Sequence, residues 1–382
     1  MDTFVHLLFF TIILPFVSSF SHQPIPKYTS AVLQIAYDGT LFHGWSAGND
    51  GFTGNPPPFK ADGNQPLTRG RSRRNRLRPS FRQGEIRSVE GVIKACLSKL
   101  YGNVPQDCIV VEGSSRTDKG VHAKGMIALI YCLLEGKGTQ SIEGKQTPHP
   151  ISPSDANFKE LPFNSDLQKL LYTLNRMLPP DVRILNASYM PTYNFQNVPF
   201  HPSLSSVAKT YRYTISVGDI FDPIRSSHVW HIGNNFDIER AKICANVLRG
   251  NHNFIAFRGA FRGSERGKLQ DTYCNIMDIC ISEDYSTTTS FTICKSYHID
   301  IKGDRFLYKM VRFLVGCIVQ YSTNDNMQIQ NVIDALEKDE WKGHRMCAPA
   351  HGLCLMNVHF LSSIEFDWTA NKQDQSNMLL SS

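Results

Sequence analysis

Asp118 is the carboxylate of this chain best placed to do chemistry. It lies in Gly113-Ser114-Ser115-Arg116-Thr117-Asp118-Lys119-Gly120-Val121-His122-Ala123, between an apolar run at Ile109-Val110-Val111 and a second from Met126 to Tyr131. The two runs read as buried strands, so the acid sits in a tight loop with glycines on either side and a guanidinium, Arg116, two residues before it. Irregular loops carried on rigid elements are where catalytic side chains concentrate. A carboxylate there can act as nucleophile or base, or it can do no more than accept turn amides, a common use of Asp.

Two further segments carry residues of interest. From Arg305 to Gln320 the chain is apolar almost throughout, yet Lys309, Arg312, Gly316 and Gln320 recur at spacings of three, four and four. That is one polar stripe on an otherwise buried helix, facing either water or a cleft. Lys209 to Val217 alternates as a strand, with Tyr211, Tyr213, Ile215 and Val217 on one face. Aromatic residues on strands are mostly packing, so Tyr211 and Tyr213 read first as core.

The elements that must position these groups follow from periodicity. Ala31 to Tyr37 is a core strand. Ser88 to Tyr101 is a helix that Ser88 can cap, with Glu90 in its first turn and an apolar stripe of Val89, Ile93, Cys96, Leu97 and Leu100. Ser165 to Leu178 is a helix ended by Pro179-Pro180, Asp237 to Leu248 another, and Ser290 to Lys302 a strand. Residues 46–84, rich in Gly, Pro, Asn and Arg, are expected as a disordered basic insertion, and 135–164 as a second flexible one. Two mixed α/β halves emerge, 30–217 with Asp118 and 218–366 with the Arg312 helix, followed by a loose tail at 367–382.

The Asp118 loop resembles the catalytic loop of TruA-type tRNA pseudouridine synthases over Arg116-Thr117-Asp118-Lys119-Gly120-Val121-His122-Ala123. Similar blocks follow the family's order: Tyr37-Asp38-Gly39-Thr40-Leu41-Phe42-His43-Gly44-Trp45, Arg87-Ser88-Val89-Glu90, Leu174-Asn175-Arg176-Met177-Leu178-Pro179 and Ala208-Lys209-Thr210-Tyr211-Arg212-Tyr213. Gly250 to Arg258, Met310-Val311-Arg312 and His351-Gly352-Leu353 complete the series. Ser203 stands where similar bacterial sequences often carry Arg, and Ser115 where many carry Gly.

The resemblance implies an α+β pseudouridine synthase fold: a mixed, mostly antiparallel sheet from two ferredoxin-like halves flanked by helices, with a central RNA-binding cleft. It implies isomerisation of uridine to pseudouridine in the anticodon stem-loop (family-implied tRNA positions 38 to 40), with tRNA as partner, a homodimer, no cofactor and no metal. Asp118 becomes the catalytic acid and Arg312 the cleft cation that keeps it ionised against desolvation. Tyr211 would stack on the target uracil, and Arg116 would touch the RNA backbone and hold the nucleotide out of its stack. A catalytically weak RNA-binding protein on the same scaffold is the alternative.

Composition bounds these readings. A chain of 382 residues with 41% hydrophobic and 19% charged residues is a soluble globular type, long enough for two domains. Residues 68–87 hold eight arginines and one glutamate, a local +7 against +6 for the whole chain, so the remainder sums to −1. The globular part therefore binds a polyanion only through local clustering, and the basic stretch either grips phosphates or is solvated or a trafficking signal. Ten scattered cysteines with no CxxC pair fit buried free thiols better than a zinc site or disulfides. Phe4 to Val17 is an apolar run within a 1–29 leader, short for a membrane span. Three readings stay open: a leader to an organelle, a secreted or membrane-anchored protein of another kind, or a misassigned start and a cytoplasmic or nuclear enzyme.

Overall fold

The computed structural model describes residues 27–46, 87–134, 149–192, 194–195, 198–260, 271–285, 294–339, 341 and 343–369. The leader up to residue 26, the basic stretch 47–86, residues 135–148 and the tail beyond 369 lie outside the described residues.

The strands are β1 (Ser30–Tyr37), β2 (Ile109–Gly113), β3 (His122–Cys132), β4 (Val182–Tyr189), β5 (Asn194–Phe195), β6 (Val198–Pro199), β7 (Ser206–Val217), β8 (Trp230–His231), β9 (Gly250–Asn253), β10 (Tyr273–Glu283), β11 (Lys295–Gly303) and β12 (Leu353–Phe360). The helices are α1 (Val89–Leu100), α2 (Leu167–Met177), α3 (Ile238–Leu248), α4 (Met310–Thr323) and α5 (Ile329–Glu337). Ten strands form one mixed sheet in the order β4-β1-β3-β12-β7-β11-β10-β9, with β2 on β3 and β8 on β7; β5 and β6 pair separately. This is the expected α+β arrangement with a mixed, mostly antiparallel sheet, antiparallel except at β3–β12 and β7–β8. Strand β7, which ends at Val217, lies between β12 and β11.

One feature of this sheet builds the site. Strand β3 pairs with β1 along one edge and shares its other edge between two strands: β2 against residues 128–132 and β12 against His122 and Ala123. Strands β2 and β12 therefore part along that edge. The chain leaving β2 at Gly113 turns in the fork and returns at His122, so the 114–121 loop sits where the two halves of the sheet meet.

Local chemistry explains the element ends. Ser88 caps α1 by accepting from the Gly91 N–H at 3.1 Å, and Val89, Val92, Ile93, Cys96 and Leu97 are buried. Helix α2 starts at Leu167 rather than Ser165, because residues 163–165 all hold positive φ and Asp166 supplies the cap to Lys169. Helix α4 starts at Met310, five residues later than periodicity suggests. Asp304 accepts N–H groups from Asn275 and Arg305, Arg305 donates to the carbonyls of Asp271 and Tyr273, and Lys309 takes left-handed φ of 58°. Those side chains are committed to strand β10, so the segment cannot wind as helix.

Of the stretch 135–164, the described part packs against the first half: Phe158 and Leu161 are buried, and Phe158 bridges Leu133. Six of the ten cysteines are buried, including Cys96, Cys132 and Cys317, whereas Cys280 is exposed. In the short tail that is described, Thr369 accepts from the Ala187 N–H. No helix among the described residues is long and apolar enough to cross a membrane.

Candidate active site

The Asp118 loop is held from below by the Tyr37–Trp45 segment. The Tyr37 hydroxyl meets the Thr117 hydroxyl at 2.7 Å, the Trp45 N–H donates to the Thr117 carbonyl at 3.1 Å, and the Gly120 N–H donates to the Phe42 carbonyl at 3.2 Å. Burial pushes the Tyr37 phenol far above its ordinary range, so it stays protonated and can serve as a donor. Arg87 fixes the same segment from the side, with a two-pronged contact to Asp181 at 2.5 and 2.8 Å and its guanidinium 4.2 Å above the Phe42 ring. Its block in the sequence is thus structural.

Asp118 and Arg312 meet across the fork. Arg312 Nη1 lies 3.5 Å from Asp118 Oδ2, and the two side chains are only 14% and 22% exposed. Arg312 is aimed by its own helix's neighbour: Nε donates to the Ala348 carbonyl at 2.7 Å, and the Ala348 N–H returns to the Arg312 carbonyl at 3.0 Å. The polar stripe of α4 faces this 344–348 segment. Gln320 donates to the His344 carbonyl at 3.0 Å, and a Cβ on Gly316 would run into the Met346 carbonyl. The stripe is neither a solvated face nor a row of cleft residues. It is a seam for an extended segment, and from it Arg312 reaches Asp118. Lys309 stands ahead of the helix.

Tyr211 on β7 completes the group. Its hydroxyl is 2.8 Å from Ser115 Oγ, and the Phe306 ring meets it edge-on at 5.2 Å and 87°. It is buried, and burial together with the Asp118 charge pushes its phenol up to about 12 despite the Ser115 bond. The ring is therefore neutral at ordinary pH and near the carboxylate. Tyr213, on the same face, is core: fully buried, it donates to the Pro349 carbonyl at 2.7 Å. Arg116 is exposed on the loop. Asp118, Arg312 and Tyr211 thus come together, with Arg116 on the open side. Sequence reasoning did not single out Ser115, Thr117 and Tyr37 as members of this group. Their presence inside the family-like blocks is the signal that could have found them.

Two other clusters have metal-ligand composition, and in each a histidine nitrogen is already engaged by backbone hydrogen bonds. In Asp38, His122 and His228, the His122 Nδ1 accepts the Gly39 N–H at 3.0 Å and its Nε2 faces the Ser227 and His351 carbonyls, so neither nitrogen has a lone pair to give. In Glu112, His149 and His201, the His201 Nδ1 accepts N–H groups from Ser203 and Leu204, which puts the proton on the Nε2 that faces Glu112.

An open mixed sheet thus carries a loop carboxylate, Asp118, against a guanidinium, Arg312, brought in by helix α4. Residues 244–361 match the family described as tRNA pseudouridine synthase. The tRNA pseudouridine synthase A 2 of Protochlamydia amoebophila is 30% identical over 271 residues, 71% of this chain and 84% of that protein. The tRNA pseudouridine synthase A of Syntrophotalea carbinolica is 29% identical over 279 residues, 73% and 89% respectively, and that of Ruminiclostridium cellulolyticum 26% over 330 residues, 86% and 98%. The chain belongs to the TruA-type tRNA pseudouridine synthase family, and it is an isomerase.

Proposed function

We propose that this protein converts uridine to pseudouridine in the anticodon stem-loop of tRNA, with Asp118 as the catalytic group and no cofactor. The reaction breaks the N1–C1′ bond of uridine, turns the detached uracil and joins C5 to C1′; the proton on C5 is lost as the product rearomatises. No electrons enter or leave, so a single carboxylate suffices. Asp118 either adds to the sugar or base and departs again, or removes the C2′ proton to give a glycal and returns it. Both routes need an ionised acid in a partly desolvated place, which is what a guanidinium 3.5 Å away supports.

The remaining roles follow from position. The target nucleotide must leave its stack at a cost of a few kcal/mol. Arg116, exposed two residues from Asp118, suits the phosphate of an extruded nucleotide. The Tyr211 ring suits the base, where such contact contributes about 1–3 kcal/mol. The pairing of Asp118 with Arg312 carries the reading. The family resemblance adds a homodimer, which sedimentation would test directly. For the reaction itself, pseudouridine mapping on unmodified tRNA is the test. Wild-type protein should place pseudouridine in the anticodon stem-loop, and Asp118→Ala should leave that tRNA unmodified while still binding it. Equal products from both proteins would remove Asp118 from the chemistry, and modification confined to another arm would refute the stem-loop assignment.

A further inference from the structure

His122 stands at the join of the molecule. It opens β3, and with Ala123 it forms the parallel pairing to Cys354 and Leu355 of β12 that links the two halves in the sheet order. Its side chain is 7% exposed, and its ring stacks on the His228 ring at 4.5 Å. Each nitrogen is tied to a different half. The Gly39 N–H donates to Nδ1 at 3.0 Å, which fixes the proton on Nε2, and Nε2 shares that proton between the carbonyls of Ser227 and His351, each at 3.0 Å. Asp38 Oδ1, 3.1 Å from Nδ1, would draw a second proton, but burial and the neighbouring His228 hold the ring below the ordinary histidine range.

The two ends of this link lead to the two reacting charges. Gly39 lies directly on the Val121 carbonyl, where a Cβ would collide, and the Val121 N–H donates to the Asp118 carbonyl at 3.2 Å. His351 ends the segment Ala348–His351, whose first residue exchanges both bonds with Arg312 and whose second accepts from Tyr213. One imidazole therefore spans from the backbone that aims Asp118 to the backbone that aims Arg312.

We infer that His122 is a positioning residue for the isomerisation: a neutral, single-tautomer imidazole that sets the separation of Asp118 and Arg312 by pinning the loop exit to the 348–351 segment. It touches no substrate, and the inference rests on the catalytic reading of Asp118. Asn and Gln divide the ring's two functions. The amide of Asn keeps an acceptor near Nδ1 and loses the bonds to the carbonyls, whereas that of Gln reaches the carbonyls and loses the acceptor.

Single-turnover pseudouridine formation, tRNA KM and melting temperature of wild type, His122→Gln and His122→Asn test it. His122→Asn should lower kcat about ten- to hundredfold with KM within about twofold, as a displacement of order 1 Å does. His122→Gln should stay within about fivefold of wild type. Added to Arg312→Lys, His122→Asn should lower kcat by less than the product of the single effects, because both act on one distance. Equal losses for Asn and Gln, a loss confined to KM, wild-type kcat in both, or multiplicative effects in the double variant would each overturn the inference. Should His122→Asn fail to fold, His122→Ala takes its place: a kcat at least about tenfold below that of His122→Gln with intact tRNA binding supports the role, and equal values for the two overturn it. An inactive wild type would instead defeat the catalytic reading beneath it.

Discussion

At the scale of single residues, the site depends on how one guanidinium divides its hydrogen bonds. Arg312 gives Nε to the Ala348 carbonyl and Nη1 to Asp118, so its fork is used in two directions. Lysine offers a point charge without that fork. Arg312→Lys should lower kcat about ten- to a hundredfold, the worth of one charged hydrogen bond, while tRNA affinity stays near wild type. Filter binding beside single-turnover assays checks this, and unchanged kcat would contradict the role. Tyr211 divides differently. Its ring is the part suited to a base, and its hydroxyl is bound to Ser115. Tyr211→Phe should leave activity within a few-fold and cost about 1 kcal/mol of stability, whereas Tyr211→Ala should lose both binding and turnover. A Phe variant as inactive as the Ala variant would mean the hydroxyl, not the ring, carries the function.

At the scale of elements, α4 and the 344–348 segment act as one unit. The close approach at Gly316 requires the absence of a side chain. Gly316→Ala should destabilise the protein by about 1–3 kcal/mol, as overpacking does, and should also lower kcat by loosening the Ala348 carbonyl that aims Arg312. Urea denaturation with activity assays on the same samples checks both parts; a change under about 0.5 kcal/mol would show that the seam yields freely. The same seam shows where sequence reading stops. Strand β1, helix α1 with its Ser88 cap, and the alternation of β7 were legible because periodicity and capping are local. The start of α4 was not, since Asp304 and Arg305 are diverted to strand β10. The stripe on α4 was visible, but its partner is an extended segment more than 20 residues away in the chain, and nothing local names it. His122 was inside a recognised block yet unremarked, because its role comes from a strand pairing across 232 positions.

For the whole molecule, the two sheet halves and their histidines set the pH range of the fold. Burial holds His122, His201, His298, His351 and His359 below the ordinary histidine range. The unfolded chain takes up protons at these sites from about pH 6.5 downward, while the folded protein remains neutral there until lower pH. The unfolded state then binds more protons, so stability is full above about pH 6.5 and falls as pH drops below it. The urea midpoint should be lower at pH 5.5 than at pH 7.5, and an equal or higher midpoint would contradict this account.

Everything at the three scales assumes that the Asp118 charge, and not merely its shape, performs the isomerisation. Asp118→Asn keeps the size of the side chain and removes the charge. Pseudouridine formed per tRNA under single-turnover conditions, with tRNA affinity measured on the same preparation, is the direct measurement. A fall of about 10³-fold or more with affinity preserved is the predicted result. Turnover near the wild-type rate in Asp118→Asn would contradict it.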